Sequence, residues 1–189
     1  MAKIMKVGVL GGSFNPPHMG HLQVFLHAIS IRQFDCIQVI PTVNHPFEKN
    51  NISYEHRLMM TKLAFNNAFG LTAYVTQEKD EGQTSYMVDS LKSSLQLWGE
   101  NAELTMIVGS DVEKELGEWK GIDEIEKIVK EILVIPRGSG ITSNVSSSSV
   151  RDLFNNSGTL IAPEGRKFLN KFVPRKIIEY ILEHRLYFV

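Results

Sequence analysis

Residues 11–21 read Gly-Gly-Ser-Phe-Asn-Pro-Pro-His-Met-Gly-His, and this stretch decides the fold. It follows an apolar run at residues 7–10, which predicts a buried strand, and precedes residues 22–29, whose apolar spacing predicts a helix. The two leading glycines let the backbone turn sharply and leave its amide groups uncovered for a ligand. A helix N-terminus adds unpaired N–H groups and a positive dipole end, both suited to an anion. The stretch therefore predicts a phosphate site between the first strand and the first helix.

Two histidines stand at the predicted start of that helix. His18 and His21 are three residues apart, so they share one face if both lie in the first helical turn. We interpret them as two imidazoles placed over the phosphate site. The alternative is an ordinary corner between a strand and a helix, in which the histidines are incidental.

Strand and helix patterns alternate along the rest of the chain. Strands are predicted at residues 36–40, 71–76, 104–109 and 131–135, and helices at residues 54–65, 85–98, 163–172 and 174–185. Ser110 is predicted to cap a helix over residues 111–116. This order predicts an α/β protein: one Rossmann-like domain over residues 1–189, with a mostly parallel sheet of five or six strands flanked by helices. The C-terminal helices, from about residue 146, are expected to pack on the same domain.

Composition argues against several classes of protein. The formal net charge is -1, so no overall electrostatic attraction to nucleic acid is expected. No apolar run approaches the roughly 20 residues that span a bilayer, and the first residues lack the apolar core of a signal peptide. Cys36 is the only cysteine, so no internal disulfide can form and a reducing, cytoplasmic location is expected.

A serine-rich run, Val-Ser-Ser-Ser-Ser-Val-Arg at residues 145–151, forms a second candidate phosphate site. Serines favour the start of a helix, and their hydroxyls, together with the first amides of the helix, can hold phosphate oxygens. Arg151, about one turn into that helix, can add a bidentate contact. The alternative is a helix cap followed by a solvated arginine.

Both runs resemble signatures of one family. Residues 12–21 resemble the GxFxPxHxGH signature of nucleotidyltransferases, and more narrowly the bacterial nicotinate mononucleotide adenylyltransferases. Residues 145–151 are similar to that family's ISSTxxR run, with Val145 for isoleucine and Ser148 for threonine. Residues 172–187 resemble its C-terminal VPxxVxxYI…LY segment, so the resemblance covers nearly the whole chain. It implies transfer of the adenylyl group of ATP to nicotinate mononucleotide, giving deamido-NAD and pyrophosphate in NAD biosynthesis.

The resemblance also implies roles for individual residues. The implied catalytic residues are His18, His21 and Arg151. The implied ATP- or phosphate-binding residues are Gly11, Gly12, Ser13, Phe14, Lys49, Arg137, Ser146, Ser147 and Ser148. The implied mononucleotide-binding residues are Ser85, Tyr86, Met87, Asp111 and Trp119, with Asp111 on a ribose hydroxyl and Trp119 stacked on the pyridine ring.

Some of these positions depart from the family pattern. Lys49 follows Glu48 where the family often shows a Pro-His-Lys run, and Met87 replaces the threonine of an SYTxDTL run. Gly138 follows Arg137 where the family has a proline. For Lys49 the alternative is a solvated lysine.

Two further positions have simpler alternatives. For Asp111 the alternative role is a carboxylate that stabilises the start of a helix. For Trp119 the alternative is packing in the core or on the surface, which is more common for a lone tryptophan than binding a ligand.

The sequence contains no dedicated cage of carboxylates for a metal, so the predicted cofactor is Mg²⁺ carried by ATP, with no metal ligand from the protein. The predicted partners are ATP and a pyridine mononucleotide, without nucleic acid or membrane; a homo-oligomer is left open. One alternative function is another adenylyltransferase of this superfamily, acting on nicotinamide mononucleotide or phosphopantetheine. The other is a catalytically weak nucleotide-binding sensor.

Overall fold

A parallel sheet forms the centre of the molecule. The computed structural model describes residues 3–44, 52–66, 73–78, 84–136, 145–155 and 163–188. The strands are β1 (Met5–Gly12), β2 (Cys36–Pro41), β3 (Ala73–Val75), β4 (Ala102–Gly109) and β5 (Glu131–Ile135). They lie in the order β3-β2-β1-β4-β5, and every neighbouring pair is parallel. The predicted α/β class with a parallel sheet of five strands is confirmed.

Helices cover both faces of this sheet. They are α1 (Met19–Ile31), α2 (Tyr54–Phe65), α3 (Met87–Trp98), α4 (Ile122–Ile128), α5 (Ser147–Asn155), α6 (Pro163–Leu169) and α7 (Arg175–Glu183), with a short 3₁₀ helix at Glu113–Glu118. Side chains alternate along β1, so that Val7 and Val9 join a core with α3 and α4 while Leu10 joins a core with α1 and α2. Both faces of the central strand are therefore buried, as its unbroken apolar run predicts.

The last three helices build a third apolar cluster beside α2. Ile177, Ile178 and Ile181 of α7 are buried in it, as the predicted stripe of that helix requires. The backbone N–H of Met19 donates to the carbonyl oxygen of Phe172 at 2.8 Å, which joins the first turn of α1 to the segment before α7. The C-terminal helices thus pack beside the loop that follows β1.

Between β4 and β5, one local prediction is wrong and one helix is missed. Ser110 does not cap a helix, because its N–H still pairs with the carbonyl oxygen of Ile135 in β5, at 2.8 Å, and helical structure begins only at Glu113. Helix α4 is not predicted from the sequence at all, since Ile125 is its one buried residue and seven residues give too short an apolar pattern.

Candidate active site

The end of β1 and the loop that follows it, residues 11–18, are together called the phosphate loop below. Phe14 within it has a positive φ of 48° and a buried side chain. Its ring meets those of His21 and Phe65 edge-on, with centroid separations of 4.9 and 5.6 Å. The peptide bond between Asn15 and Pro16 is cis. The phosphate loop is therefore anchored in the core through Phe14, and this side chain also supports one of the two histidines.

The two histidines cap α1 reciprocally. Nδ1 of His18 accepts the backbone N–H of Gly20 at 3.1 Å, and Nδ1 of His21 accepts the backbone N–H of His18 at 3.2 Å. The rings lie 3.8 Å apart, centroid to centroid, at 31°. Because both Nδ1 atoms accept from amides, each neutral ring carries its proton on Nε2. The cap thus sets the tautomer in which both imidazoles are Nε2–H donors, which suits phosphate oxygens.

Arg57 of α2 fastens the phosphate loop from behind. This side chain is only 1% exposed. Its Nη1 donates to the carbonyl oxygens of Ser13 and Thr42 at 2.9 and 2.6 Å. Its Nη2 donates to Val43 at 2.7 Å, and its Nε to Ile52 at 3.3 Å. Sequence reasoning missed Arg57; an arginine within the apolar pattern of a predicted helix was the one available signal.

Helix α5 is joined to the same loop from the other side. Ser147 donates from Oγ to the carbonyl oxygen of Pro16 at 3.0 Å. Nη1 of Arg151 donates to the carbonyl oxygen of Asn15 at 2.8 Å, and its Nη2 to Oγ of Ser148 at 3.1 Å. The structure therefore brings the two sequence signatures together, with Arg151 spanning them.

The serine run begins a helix, as predicted. The backbone N–H of Ser146 donates to Oγ of Ser149 at 3.0 Å, and that of Ser149 donates to Oγ of Ser146 at 3.1 Å. This reciprocal cap fixes the first turn of α5. Val145, just before it, is buried in the C-terminal cluster.

Asn15 connects the phosphate loop to the end of the chain. Its side chain is 1% exposed, and its Oδ1 accepts a hydrogen bond from the hydroxyl of Tyr187 at 2.7 Å. Its carbonyl oxygen is the one that accepts from Arg151. Sequence reasoning missed Asn15 as a site residue, although it lies inside the first signature.

Carbonyl oxygens of the loop are thus occupied by donors from the protein. Gly12 accepts from the backbone N–H of Thr42 at 3.0 Å, while Ser13, Asn15 and Pro16 accept from Arg57, Arg151 and Ser147. Each such bond offsets the negative end of a peptide dipole. The loop therefore repels phosphate less than it would if these carbonyl oxygens had no hydrogen-bond donors.

The start of α3 forms a wall next to the phosphate loop. A Cβ atom on Gly11 would overlap Cε of Met87, so the two residues are in direct contact and a larger residue at position 11 would displace Met87. Tyr86, Met87 and Trp119 are half-buried against the same core cluster. The structure thus places Met87 against the phosphate loop and packs Tyr86 and Trp119 on the same core cluster; the binding roles of all three stay predictions.

The carboxylate of Glu78 links the segment after β2 to the start of this wall through hydrogen bonds. One carboxylate oxygen accepts from the backbone N–H of Val43 at 2.8 Å and from Oγ of Ser85. The other accepts from Oγ of Ser90 at 2.7 Å. Glu78 therefore ties the end of β2 to the start of α3, a role that no sequence motif indicated.

Two predicted residues, Lys49 and Arg137, lie outside the described residues. Asp111 is exposed at the turn after β4, where its carboxylate contacts Gly109. Within the described parts of the chain, no group of three or more His, Cys, Asp or Glu could hold a metal ion. None of the helices in those same parts is long and apolar enough to cross a membrane.

A model of the cytidylyltransferase-like family matches residues 9–153, a range that contains the phosphate loop, the wall and Arg151. The chain belongs to the cytidylyltransferase-like family. A protein named "Probable nicotinate-nucleotide adenylyltransferase" from Myxococcus xanthus is 30% identical, over 99% of this chain and 97% of that protein. One of the same name from Opitutus terrae is 31% identical, over 97% of this chain and 98% of that protein. The family resemblance inferred from the motifs is confirmed, and with it a nucleotidyltransferase.

Solved structures agree on the fold. The nicotinic acid mononucleotide adenylyltransferase of Plasmodium falciparum complexed with NaAD has a TM-score of 0.78 at 17% identity, with 97% of each chain covered. The same enzyme complexed with APC has a TM-score of 0.74 at 18% identity, again with 97% of each chain covered. At identities this low, the likeness concerns the fold alone. It confirms the Rossmann-like fold predicted for this chain.

Proposed function

We propose that this protein transfers the adenylyl group of ATP to nicotinate mononucleotide, giving deamido-NAD and pyrophosphate. The observation that carries the proposal is the phosphate loop, where a reciprocal histidine cap and Arg151 of a second helix meet. The names of the relatives from Myxococcus xanthus and Opitutus terrae support the same activity. A protein that only binds a nucleotide would need the phosphate loop and a capped helix. It would not need that cap to consist of two imidazoles fixed as Nε2–H donors.

The proposed step is a displacement at the α-phosphorus of ATP. An oxygen of the mononucleotide 5′-phosphate forms a bond to that phosphorus, the bond to the bridging oxygen of the β-phosphate breaks, and pyrophosphate leaves with the electron pair. A phosphate monoester has a second pKa near 6, so the nucleophile is already an anion at neutral pH. No general base is required, and catalysis rests on positioning and on charge stabilisation.

The residues of the site are suited to that task. His18 and His21 donate from Nε2, with His21 proposed to lie closest to the transferred phosphorus. Arg151 has five N–H donors. Two of them bind the carbonyl oxygen of Asn15 in the phosphate loop and Oγ of Ser148 in α5, which leaves the others for phosphate oxygens. Gly11, Gly12 and Ser13, with the first turn of α5, are proposed to bind the remaining phosphates.

Mg²⁺ is proposed to enter as part of the substrate, MgATP. The phosphate loop, His21 and Arg151 offer amides, imidazoles and a guanidinium, which bind phosphate oxygens, rather than the carboxylates that bind Mg²⁺. When bound, Mg²⁺ would neutralise part of the triphosphate charge.

The acceptor base is proposed to be the acid rather than the amide. Backbone N–H groups around residues 86–88 would read the carboxylate of nicotinate, with Trp119 stacked on the ring. The hydroxyl of the usual family threonine is lost at Met87, but the backbone donor at this position is unaffected. A preference of at least tenfold in kcat/KM, about 1.4 kcal/mol, is expected.

The deciding experiment measures pyrophosphate release with MgATP and each acceptor separately. Nicotinate mononucleotide should support turnover, with nicotinamide mononucleotide at least tenfold poorer and phosphopantetheine inactive. Equal or reversed efficiencies would assign another adenylyltransferase of the superfamily, and binding of ATP without turnover on any acceptor would assign a sensor. His21→Asn protein supplies the background rate.

Other properties stay predictions from the sequence. They are the single-domain organisation of residues 1–189, the cytoplasmic location, the absence of a nucleic-acid or membrane partner, and the oligomeric state.

A further inference from the structure

We propose that the ammonium group of Lys120 selects for an acidic pyridine base. This inference rests on the proposed function and adds a specificity-determining residue to it. Neither sequence signature contains Lys120, and the backbone readout proposed above does not use its side chain.

The position of Lys120 is fixed by its contact with the wall. Its Nζ lies 4.0 Å from the centroid of the Tyr86 ring. Tyr86 immediately precedes Met87, the residue that contacts Gly11 of the phosphate loop. A Cβ on Gly121 would come within 3.2 Å of Val88, so the backbone after Lys120 also packs closely on α3. The ammonium group is therefore held where the base of a mononucleotide would meet the wall.

Among the residues that the structure describes, no ion pair uses the charge of Lys120. Within the described parts of the chain, the contact with Tyr86 is the interaction that the structure shows for this side chain, and none of the ion pairs there includes it. A cation over an aromatic ring is held in place while its N–H groups keep their capacity to donate. It is thus oriented in advance for an anion.

Acidic side chains near Trp119 give a cation at this position a role in binding an acidic substrate. The 3₁₀ helix just before Trp119 exposes Glu113, Glu115 and Glu118. These carboxylates, only partly offset by Lys114 between them, create a negative field that disfavours the carboxylate of nicotinate more than the uncharged amide of nicotinamide. Lys120 opposes that field at the wall itself. Because nicotinate has a carboxylate where nicotinamide has an amide, we expect the charge of Lys120 to favour the acid over the amide.

The test compares kcat/KM for nicotinate and nicotinamide mononucleotides in Lys120→Met, Lys120→Arg and wild-type protein. Methionine keeps much of the length and apolar volume over Tyr86 but removes the charge. Lys120→Met should lose about fivefold of the acid preference, as expected for one partly exposed charge pair, while its efficiency with the amide stays within about twofold. Lys120→Arg should keep the preference within about twofold, because it keeps the cation.

Lys127→Met is the matched control, since Lys127 lies in the last turn of α4 and its loss changes the net charge equally. The ratio of the two efficiencies is independent of the fraction of folded protein, because both substrates are measured on one preparation. An unchanged ratio in Lys120→Met would overturn the inference, as would equal losses on both substrates or an equal change in Lys127→Met. Wild-type protein without any acid preference would instead overturn the proposed acceptor.

Discussion

Nη1 of Arg57 lies 2.9 Å from the carbonyl oxygen of Ser13, so a side chain of α2 reaches across the core to hold the phosphate loop. The same guanidinium donates to Thr42 and Val43 at the end of β2. Its planar fork satisfies carbonyls on two segments at once, which a single ammonium cannot reproduce. Two loops that meet at the carboxyl edge of the sheet are thereby held at a fixed separation.

Replacing Arg57 by lysine should destabilise the fold and weaken MgATP binding together. Leaving one or two buried carbonyls without a donor costs about 2–4 kcal/mol. In a chain of this size that lowers Tm by roughly 5–15 °C. Thermal unfolding and the KM for MgATP measure the two effects. Arg175→Lys is the control, because Arg175 is exposed and its ion pair is with Glu179, one turn along α7. If Arg57→Lys melts like this control, the carbonyl contacts of Arg57 do not support the loop.

Substitution of His21 can separate capping from catalysis. His21→Ala removes both the acceptor for the His18 N–H and the Nε2 donor, whereas His21→Asn keeps a short side-chain acceptor while losing the imidazole ring and its Nε2 donor. Both should lose about 10²–10³ in kcat, with a smaller change in the KM for MgATP. Only His21→Ala should also lose about 1 kcal/mol of stability. A normal kcat in well-folded His21→Asn protein would remove His21 from the chemistry.

Arg151 should not tolerate lysine. Lysine keeps the charge but cannot hold Asn15, Ser148 and a phosphate oxygen in one plane. We expect at least about a tenfold loss in kcat/KM for Arg151→Lys and a larger loss for Arg151→Ala, each against Arg175→Lys. If both Arg151 variants match the wild type in steady-state kinetics, this arginine is only a solvated residue at a helix start.

Burial of Cys36 predicts how stability changes at alkaline pH. Burial raises the pKa of its thiol from 9.0 to about 11. Between these values the unfolded chain has lost the proton while the native protein keeps it, so the free energy of unfolding falls as pH rises. Denaturant unfolding from pH 8 to 11 should therefore show a steeper decline for wild type than for Cys36→Ala. The comparison uses slopes, because the smaller side chain also changes the stability at every pH. Parallel curves would contradict the prediction.

Much of the fold follows from local patterns. The apolar runs of β1, β2, β4 and β5 and the spacing in α2 and α7 predict their elements, and the glycine turn before His18 predicts where the site lies. The family motifs bring in both histidines and Arg151, which the structure then places together. At Ser110 the local pattern was misleading. Its side chain suits a helix cap, but a hydrogen bond from its backbone N–H to Ile135 of β5 keeps it beside the sheet.

The residues that were missed act through partners distant in sequence. Arg57 binds a carbonyl 44 positions earlier, and Asn15 binds a hydroxyl 172 positions later. Glu78 joins β2 to α3 with an ordinary loop carboxylate. The partners of these side chains do not follow from any local pattern, because they are set by the crossing of separate chain segments at one sheet edge.

His18 performs two tasks that favour different amino acids. As the cap of α1 it is a weaker choice than aspartate, serine or asparagine, while as an Nε2–H donor over a phosphate it has no equal among them. Directed evolution for heat resistance alone would therefore tend to replace it and produce a sturdier but inert protein. Position 18 thus marks a trade-off between thermostability and turnover, and heat-selected libraries should be screened for adenylyl transfer in the same round.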